Sequence, residues 1–317
     1  NYELFKFLKC YCEEKSKEIG KPIGCGFGTN GVLLTSEIIR EFSSIGQSVY
    51  ISIDGPKEVH DAFRVFPDGR GSYDLILPRI REALSYGIVT GACATLTPLH
   101  TDFVGILEHL VGLGFKAVCM RPVRARPEVP YAITEENVDR MKEGYTELAE
   151  FLVEDLLGGG GYFFYLEPRD FLMRFFTRWL FRRKVFYRCE SARSWLGVTA
   201  DGDLYPCSSF VGIEEFCMGN VYDGLDREKQ RMFLDLVVDR IEACRDCWAR
   251  YFCGGGCYHQ SYLTNGRIDE PDRAWCELVR HLIKLGGWML SEVAGRPDLM
   301  EKVRSFLAGQ MREKKQA

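Results

Sequence analysis

Apolar residues open the chain at helical spacing: Phe5, Leu8 and Cys12, widened by Leu4 and Tyr11, mark one face of a helix. From residue 22 the pattern changes to short β-rich runs alternating with amphipathic stretches. Residues 23–29 read as a strand ending in the turn Asn30-Gly31, after which Thr35 or Ser36 caps a helix through Phe42. Residues 49–53 form a second strand, closed by Asp54-Gly55-Pro56. Ser72 caps a helix whose inner face is Ile76, Ile80, Ala83 and Leu84. Residues 89–96 give a strand stopped by Pro98, then a helix using Ile106, Leu107 and Leu110. A fourth strand, 117–120, ends before Pro122. A long helix starts at Thr134, with Val138, Met141, Tyr145, Leu148 and Leu152 on one face.

Four βα units in series predict an α/β fold with a parallel sheet. Its functional groups gather at the C-terminal strand ends, here Asn30, Ser52, Asp54, Thr97 and Arg121. A doubly wound sheet is the alternative topology. Four consecutive glycines, 158–161, then break the pattern. They lack the lysine and serine or threonine of a phosphate loop, so a hinge or loop is expected. Residues 174–188 set Arg178, Arg182, Arg183 and Lys184 among Phe175, Phe176, Trp179 and Phe181. This predicts a connecting helix with one buried aromatic face and arginines snorkelling to solvent. Contact with an acidic peptide or a membrane surface is the alternative. From Leu278 the chain reads as helical with a charged tail.

A net charge of −4 over 317 residues argues against a nucleic-acid binder. No run of eighteen apolar residues predicts a membrane span, and the lack of a secretory signal predicts a cytoplasmic protein. The chain begins at Asn1, inside a helical pattern, which predicts a piece of a longer protein.

The thirteen cysteines change the picture most. Cys10, Cys12, Cys25, Cys93 and Cys119 are scattered and read as buried structural thiols. The other eight lie between Cys189 and Cys276, and the odd total and uneven placement oppose a disulfide framework. Cys244, Cys247, Cys253 and Cys257 follow C-x2-C-x5-C-x3-C, with Cys189 and Cys207 before them and Cys276 after. Seven thiolates exceed one four-coordinate site and fall one short of two. Thiolate sets of this kind serve zinc as well as iron–sulfur clusters.

Those seven positions, with Gly202 and Cys207 forming a Gly-x4-Cys step, resemble the SPASM domain of radical S-adenosylmethionine (SAM) enzymes. The first half is similar to that family's partial (β/α)6 barrel, without its first strands. The likeness rests on Thr29-Asn30-Gly31, Ser52-Ile53-Asp54-Gly55-Pro56, His60, Arg64 and Gly71-Ser72-Tyr73-Asp74. It implies a partial barrel over 1–157, a linker over 158–188, a SPASM domain over 189–280, and a C-terminal helix and tail over 281–317. It also implies SAM contacts at Asn30, Ser52, Asp54 and Arg64. Cys244, Cys247, Cys253 and Cys276 would hold one auxiliary [4Fe–4S] cluster. Cys189, Cys207 and Cys257 would hold a second, with an iron open to a substrate thiolate. Cys217 falls outside the pattern and reads as a buried free thiol.

Within the family the likeness is to thioether-forming peptide maturases. It is carried by Arg121-Pro122-Val123-Arg124-Ala125, Pro130-Tyr131-Ala132-Ile133, Phe210-Val211-Gly212, Met218-Gly219-Asn220-Val221 and Cys247-Trp248-Ala249-Arg250. It implies a precursor peptide or small protein as substrate and a ferredoxin or flavodoxin as electron donor. Sulfatase-maturing members carry an aspartate after the Gly-x4-Cys cysteine, where this chain has Ser208. Formylglycine formation, another SPASM modification, and a non-catalytic or zinc-binding adaptor are the alternatives. The C-x3-C-x2-C motif that holds the SAM-cleaving cluster is not in these residues. The resemblance places it upstream, so this piece is expected to be inactive alone.

Overall fold

The structure, a computed structural model, describes residues 2–316. Helix α1 (Tyr2–Ile19) buries only Phe5, whose ring meets Phe27 and Phe42 at 4.9 and 5.5 Å. Leu4, Leu8 and Tyr11 of the expected stripe stay exposed. The chain continues as β1 (Phe27–Thr29), α2 (Ser36–Ser44), β2 (Val49–Ser52), the short α3 (Lys57–Asp61), α4 (Tyr73–Ser85) and β3 (Val89–Leu96). It then forms α5 (Phe103–Gly112), β4 (Val118–Pro122) and α6 (Val138–Leu157).

All four strands are parallel, in the order β1-β2-β3-β4. A doubly wound sheet reverses strand order at a switch point, and this sheet does not. It is therefore an arc of a singly wound barrel. Helices α2 and α4 pack together on its outside, as do α5 and α6. After α6, Leu166 bridges Val118 in parallel and the Glu167 N–H donates to the Val118 carbonyl at 3.0 Å, extending the arc past β4.

Local chemistry explains most boundaries. The Thr35 hydroxyl accepts from the Ile38 N–H and opens α2, the expected cap. Ser72 precedes α4 but does not cap it. Its hydroxyl donates to the Arg64 carbonyl at 2.9 Å, and the Asp61 carboxylate accepts from the Tyr73 N–H instead. The fourth strand runs through Pro122 rather than stopping before it, because the proline sits at the strand's end. The segment from Thr134 is a turn, closed by the Asn137 side chain accepting from the Thr134 N–H, and the helix begins at Val138.

Gly158 ends α6, and the Asp155 carboxylate accepts from the Tyr162 N–H, so the glycine run is a tight turn. Helix α7 (Met173–Leu180) buries Phe175 and Phe176 as expected. Arg182, Arg183 and Lys184 lie exposed just past it, but Arg178 does not snorkel outward. Arg174 lies over the Phe171 ring and Arg178 over Phe175, and Arg178 donates to the Phe252 carbonyl.

The cysteine-rich segment is built from two minimal hairpins and short helices. They are β5 (Gly197–Val198) with β6 (Leu204–Tyr205), β7 (Gly219–Asn220) with β8 (Gly224–Leu225), α8 (Arg227–Leu234), α9 (Arg250–Cys253) and α10 (Tyr258–Asn265). Its apolar clusters are small, one around Phe210, Phe216, Phe233 and Tyr258 and another of Val238, Ile241 and Cys244. Helix α11 (Arg273–Ala294) runs through residue 280 without interruption and packs on α6 and α7. Its Leu278, Leu282, Ile283 and Met289 join the same core as the sheet. Helix α12 (Pro297–Gln316) completes the described chain.

Candidate functional site

Side chains alternate across a strand, so register assigns the inner face of the arc. Ser52 pairs with Cys93, and Cys93 with Cys119, placing these three side by side. Tyr50, Thr95 and Arg121 follow on the same face, so the concave side is polar while Ile51, Ala92 and Met120 on the other side enter the core. The Tyr50 hydroxyl donates to Glu167 at 2.6 Å, and Arg169 reaches both, donating to the Tyr50 oxygen at 3.1 Å. Cys93 and Cys119 are partnered thiols. The hydrogen bond from Cys119, helped by Arg121 and Arg169, lowers Cys93 to about 7, while Cys119 is raised by that same bond and by burial. Of the five cysteines expected to be buried, only Cys119 is; Cys10 is exposed, and Cys12, Cys25 and Cys93 are partly so.

Asp54 follows β2 and is 3% exposed. Both its oxygens bind Arg64, at 2.5 and 3.0 Å, and one also accepts from the Thr95 N–H at 2.8 Å. The carboxylate therefore aims the guanidinium and ties the second strand's end to the third. Asp54, Arg64, Thr95 and Thr97 line one cavity with Phe63 and Tyr131, whose rings meet edge to face at 5.2 Å. Asn30 uses its side-chain oxygen on the Val32 N–H, a turn role, and lines a neighbouring cavity with Arg64. Thus Asp54 and Arg64 converge, Ser52 lies on the same concave face, and Asn30 sits one cavity away.

His60 braces this corner. Its Nδ1 accepts from the Asp54 N–H at 3.3 Å, and its Nε2 lies 3.0 Å from the Ser72 hydroxyl. Because that hydroxyl already donates to the Arg64 carbonyl, the ring proton is assigned to Nε2. Burial lowers the His60 pKa below 6.5, and burial does the same to His109, His259 and His281. The unfolded chain then binds more protons than the folded one between the lowered values and 6.5, so stability falls as pH drops through that window. Urea midpoints measured from pH 7 downward are expected to decline below about 6.5, with a weaker decline in His60→Gln. A flat profile for the parent protein would refute the buried neutral histidines.

The seven cysteines neighbour one another in the folded chain. Cys244 and Cys276 are each pushed up to about 12 by burial first, then by Cys253 and next by other nearby thiols, with Cys247 acting on both. Cys189 is raised by burial and feels Cys257 and Cys207. Cys217 stands apart and half-buried, its thiol facing the Gly219 carbonyl at 3.6 Å. Backbone geometry makes this proximity possible. Gly202, at φ +88°, turns the β5–β6 hairpin that delivers Cys207. Gly254, at φ +83°, ends α9 where a Cβ would lie 2.6 Å from the Tyr187 carbonyl oxygen, so only glycine lets Cys253 approach the segment leading to Cys189. Asp272 caps α11 by accepting from the Trp275 N–H at 2.9 Å, which fixes Cys276 in its first turn.

Among the described residues no three His, Cys, Asp or Glu side chains converge tightly enough for a single metal ion. The thiols of each group lie close enough to raise one another, and thiolate donors of this kind suit iron–sulfur clusters. Buried donors stand beside them as well. Arg188 Nη1 and Trp275 Nε1 lack partners and line a cavity with Cys253, Cys257 and Cys276. The donor set therefore fits iron–sulfur clusters. Sequence reasoning misses Arg188 and Trp275; their adjacency to Cys189 and Cys276 is the available signal.

Residues 189–248 match the SPASM family, described as an iron–sulfur cluster-binding domain. The serine-type anaerobic sulfatase-maturating enzyme of Bacteroides thetaiotaomicron is 24% identical over 277 residues, covering 77% of this chain and 63% of that enzyme. The cysteine-type enzyme of Clostridium novyi is 23% identical over 84% of this chain and 72% of its own length. The chain thus spans less than two thirds of the first of these relatives. Among solved structures, a histidine-tagged anSMEcpe with bound AdoMet superposes with a TM-score of 0.78 at 19% identity, covering 97% of this chain and 81% of that one. Native anSMEcpe with bound AdoMet and the Cp18Cys peptide gives 0.74 at 18% identity, covering 96% and 82%. With residues 189–248 matched to SPASM and nearly the whole chain superposing on anSMEcpe, the chain shares the fold of these structures and carries a SPASM segment.

Proposed function

We propose that this chain belongs to a radical SAM enzyme that modifies a cysteine-bearing segment of a peptide or protein, and that the modification is a thioether cross-link. What supports the proposal is that Cys276 neighbours Cys253, Cys244 and Cys247 while Cys189 neighbours Cys257 and Cys207, beside a sheet whose concave face is polar. Bound SAM and [4Fe–4S] clusters would supply the radical and one-electron chemistry. The chain's own residues hold, orient and exclude water. Cys244, Cys247, Cys253 and Cys276 would ligate one cluster, and Cys189, Cys207 and Cys257 the other. Asp54 would aim Arg64 at SAM, with Ser52 on the concave face beside it and Asn30 shaping the adjoining turn. The Phe63–Tyr131 pair would narrow water access at the cavity. A ferredoxin or flavodoxin would supply electrons.

Ser208, exposed directly after Cys207, counts against formylglycine formation, because it offers no carboxylate where sulfatase-maturing members carry a base. Formylglycine formation is the second reading, supported by the names of the relatives. Mass spectrometry of a cysteine-containing peptide, incubated with SAM and the anaerobically prepared full-length enzyme, separates them. A thioether loses two hydrogens and keeps its sulfur, whereas formylglycine made from cysteine loses the sulfur. We expect the first. Sulfur loss would replace it with the second, and a peptide unchanged beside iron-loaded enzyme would sink both.

A further inference from the structure

Three deeply buried side chains around the thiols have polar atoms with no partner in the folded chain. Arg188 is 7% exposed, Trp275 4% and Gln260 2%, and Arg188 Nη1, Trp275 Nε1 and Gln260 Oε1 are all unpaired. They line one cavity with Cys253, Cys257 and Cys276. A buried polar atom without a partner costs about 1–3 kcal/mol, more when charged, so the two donors among them, Arg188 Nη1 and Trp275 Nε1, call for an acceptor, whereas Gln260 Oε1 is itself an acceptor. The carboxylate at hand does not provide it. Asp272 lines the same cavity, but it already accepts from the Trp275 backbone N–H, the Thr264 hydroxyl and the Gln260 amide.

The surrounding charge points the same way. Arg174 and Arg188 both lie over the Phe171 ring, at 5.6 and 5.3 Å, and Trp275 packs edge-on against that ring at 5.5 Å. Arg174, Arg178 and Arg188 repel one another, and none forms an ion pair with a carboxylate among the described residues. A buried positive field of this kind calls for an anionic acceptor. Cysteine-ligated iron–sulfur clusters are anionic, and their sulfurs accept hydrogen bonds.

We infer that Arg188 and Trp275 are positioning donors to the sulfurs of the clusters held by this segment, and that they set those clusters' reduction potentials. The inference rests on the cluster reading above. A donor or positive charge at a cluster sulfur favours the reduced, more negative state, so removing it lowers the potential. Phe171 holds both groups toward the thiols, and the Asp272 cap fixes the turn that carries Trp275 and Cys276.

The test is an anaerobic redox titration of the full-length, cluster-loaded protein, followed by electron paramagnetic resonance, with iron and sulfide counted in each sample. Trp275→Phe keeps an aromatic ring and removes the N–H. Arg188→Met removes charge and donor, while Arg188→Lys keeps the charge. In Trp275→Phe and Arg188→Met the reduced-to-oxidised ratio of an auxiliary cluster at fixed potential is expected to fall about tenfold, or about 59 mV for one electron. Arg188→Lys should recover part of that loss. Full iron content with auxiliary potentials unchanged in Trp275→Phe and in both Arg188 variants would overturn the inference and leave the cluster reading intact. A parent protein that binds no iron and labile sulfide in this segment would overturn both. Should Arg188→Met fail to fold, Trp275→Phe and Arg188→Lys still decide, because both preserve most of the packing.

Discussion

Replacing Cys207 with alanine is expected to remove one auxiliary cluster, spare the other and abolish peptide modification. By the proposed ligation Cys207 is one of three thiols for its cluster, and it is delivered by the hairpin that turns at Gly202. Two remaining thiolates cannot hold a [4Fe–4S] unit that ordinarily takes four ligands. The set of Cys244, Cys247, Cys253 and Cys276 hangs on different elements, with Cys244 and Cys247 in the turns before α9, Cys253 at the end of α9 and Cys276 in the first turn of α11, and should load normally. Auxiliary iron and sulfide should therefore drop to about half of the parent value, with one of two spectroscopic signals lost. Retention of both signals and of activity would show that Cys207 is not a ligand. Because the cysteine-rich segment has small apolar clusters, the loss should also lower its thermal stability, which links metal binding to folding.

Asp54→Ala is the second large effect, and here the expected loss is in the fold. Asp54 is 4% exposed at its side chain and Arg64 28%, so the pair is largely shielded from water. Removing the carboxylate strands the guanidinium and leaves the Thr95 N–H without its acceptor. Truncating one member of a buried ion pair costs about 3–5 kcal/mol, and the partial exposure of Arg64 points to the lower end, about 3 kcal/mol. Against a total stability of roughly 5–15 kcal/mol that is a large fraction, readable as a fall in urea midpoint at unchanged slope. Asp54→Asn keeps an acceptor for Thr95 and should lose less. A midpoint within experimental error of the parent for Asp54→Ala would mean the pair is not holding β2 to β3. The motif implies a SAM contact for Asp54; the fold adds a second duty, since the same carboxylate serves Arg64 and the sheet.

What is legible in the sequence tracks the range of the interactions involved. Residues 89–96 match β3 to the residue because a β-rich run, a proline stop and a following helix are all local signals. The division of the cysteines into a close-spaced group and outliers is legible for the same reason. Ser72 misleads because its hydroxyl is claimed by Arg64 and His60, which only the fold brings near, while Asp61 caps from another helix. Arg178 reads as a snorkelling side chain because its aromatic neighbours fit a one-sided helix. Its inward direction depends on Phe252 and the packing of α11, which the helix's own pattern does not encode. A division at 280 falls inside α11 for a related reason. A continuous helical pattern gives no sign that its first turn serves the thiols and its remainder the barrel.

That continuity of α11 has a consequence in the cell. One helix begins beside Cys276 and ends deep in the core shared with the sheet, so the two halves of the molecule cannot come apart independently at that seam. A cell short of iron would then leave more than an idle cofactor pocket. The first turn would loosen, the buried arginines beside it would be left facing one another, and the opening would travel along α11 toward α6 and α7. Iron supply would in this way govern how long the polypeptide survives its proteases.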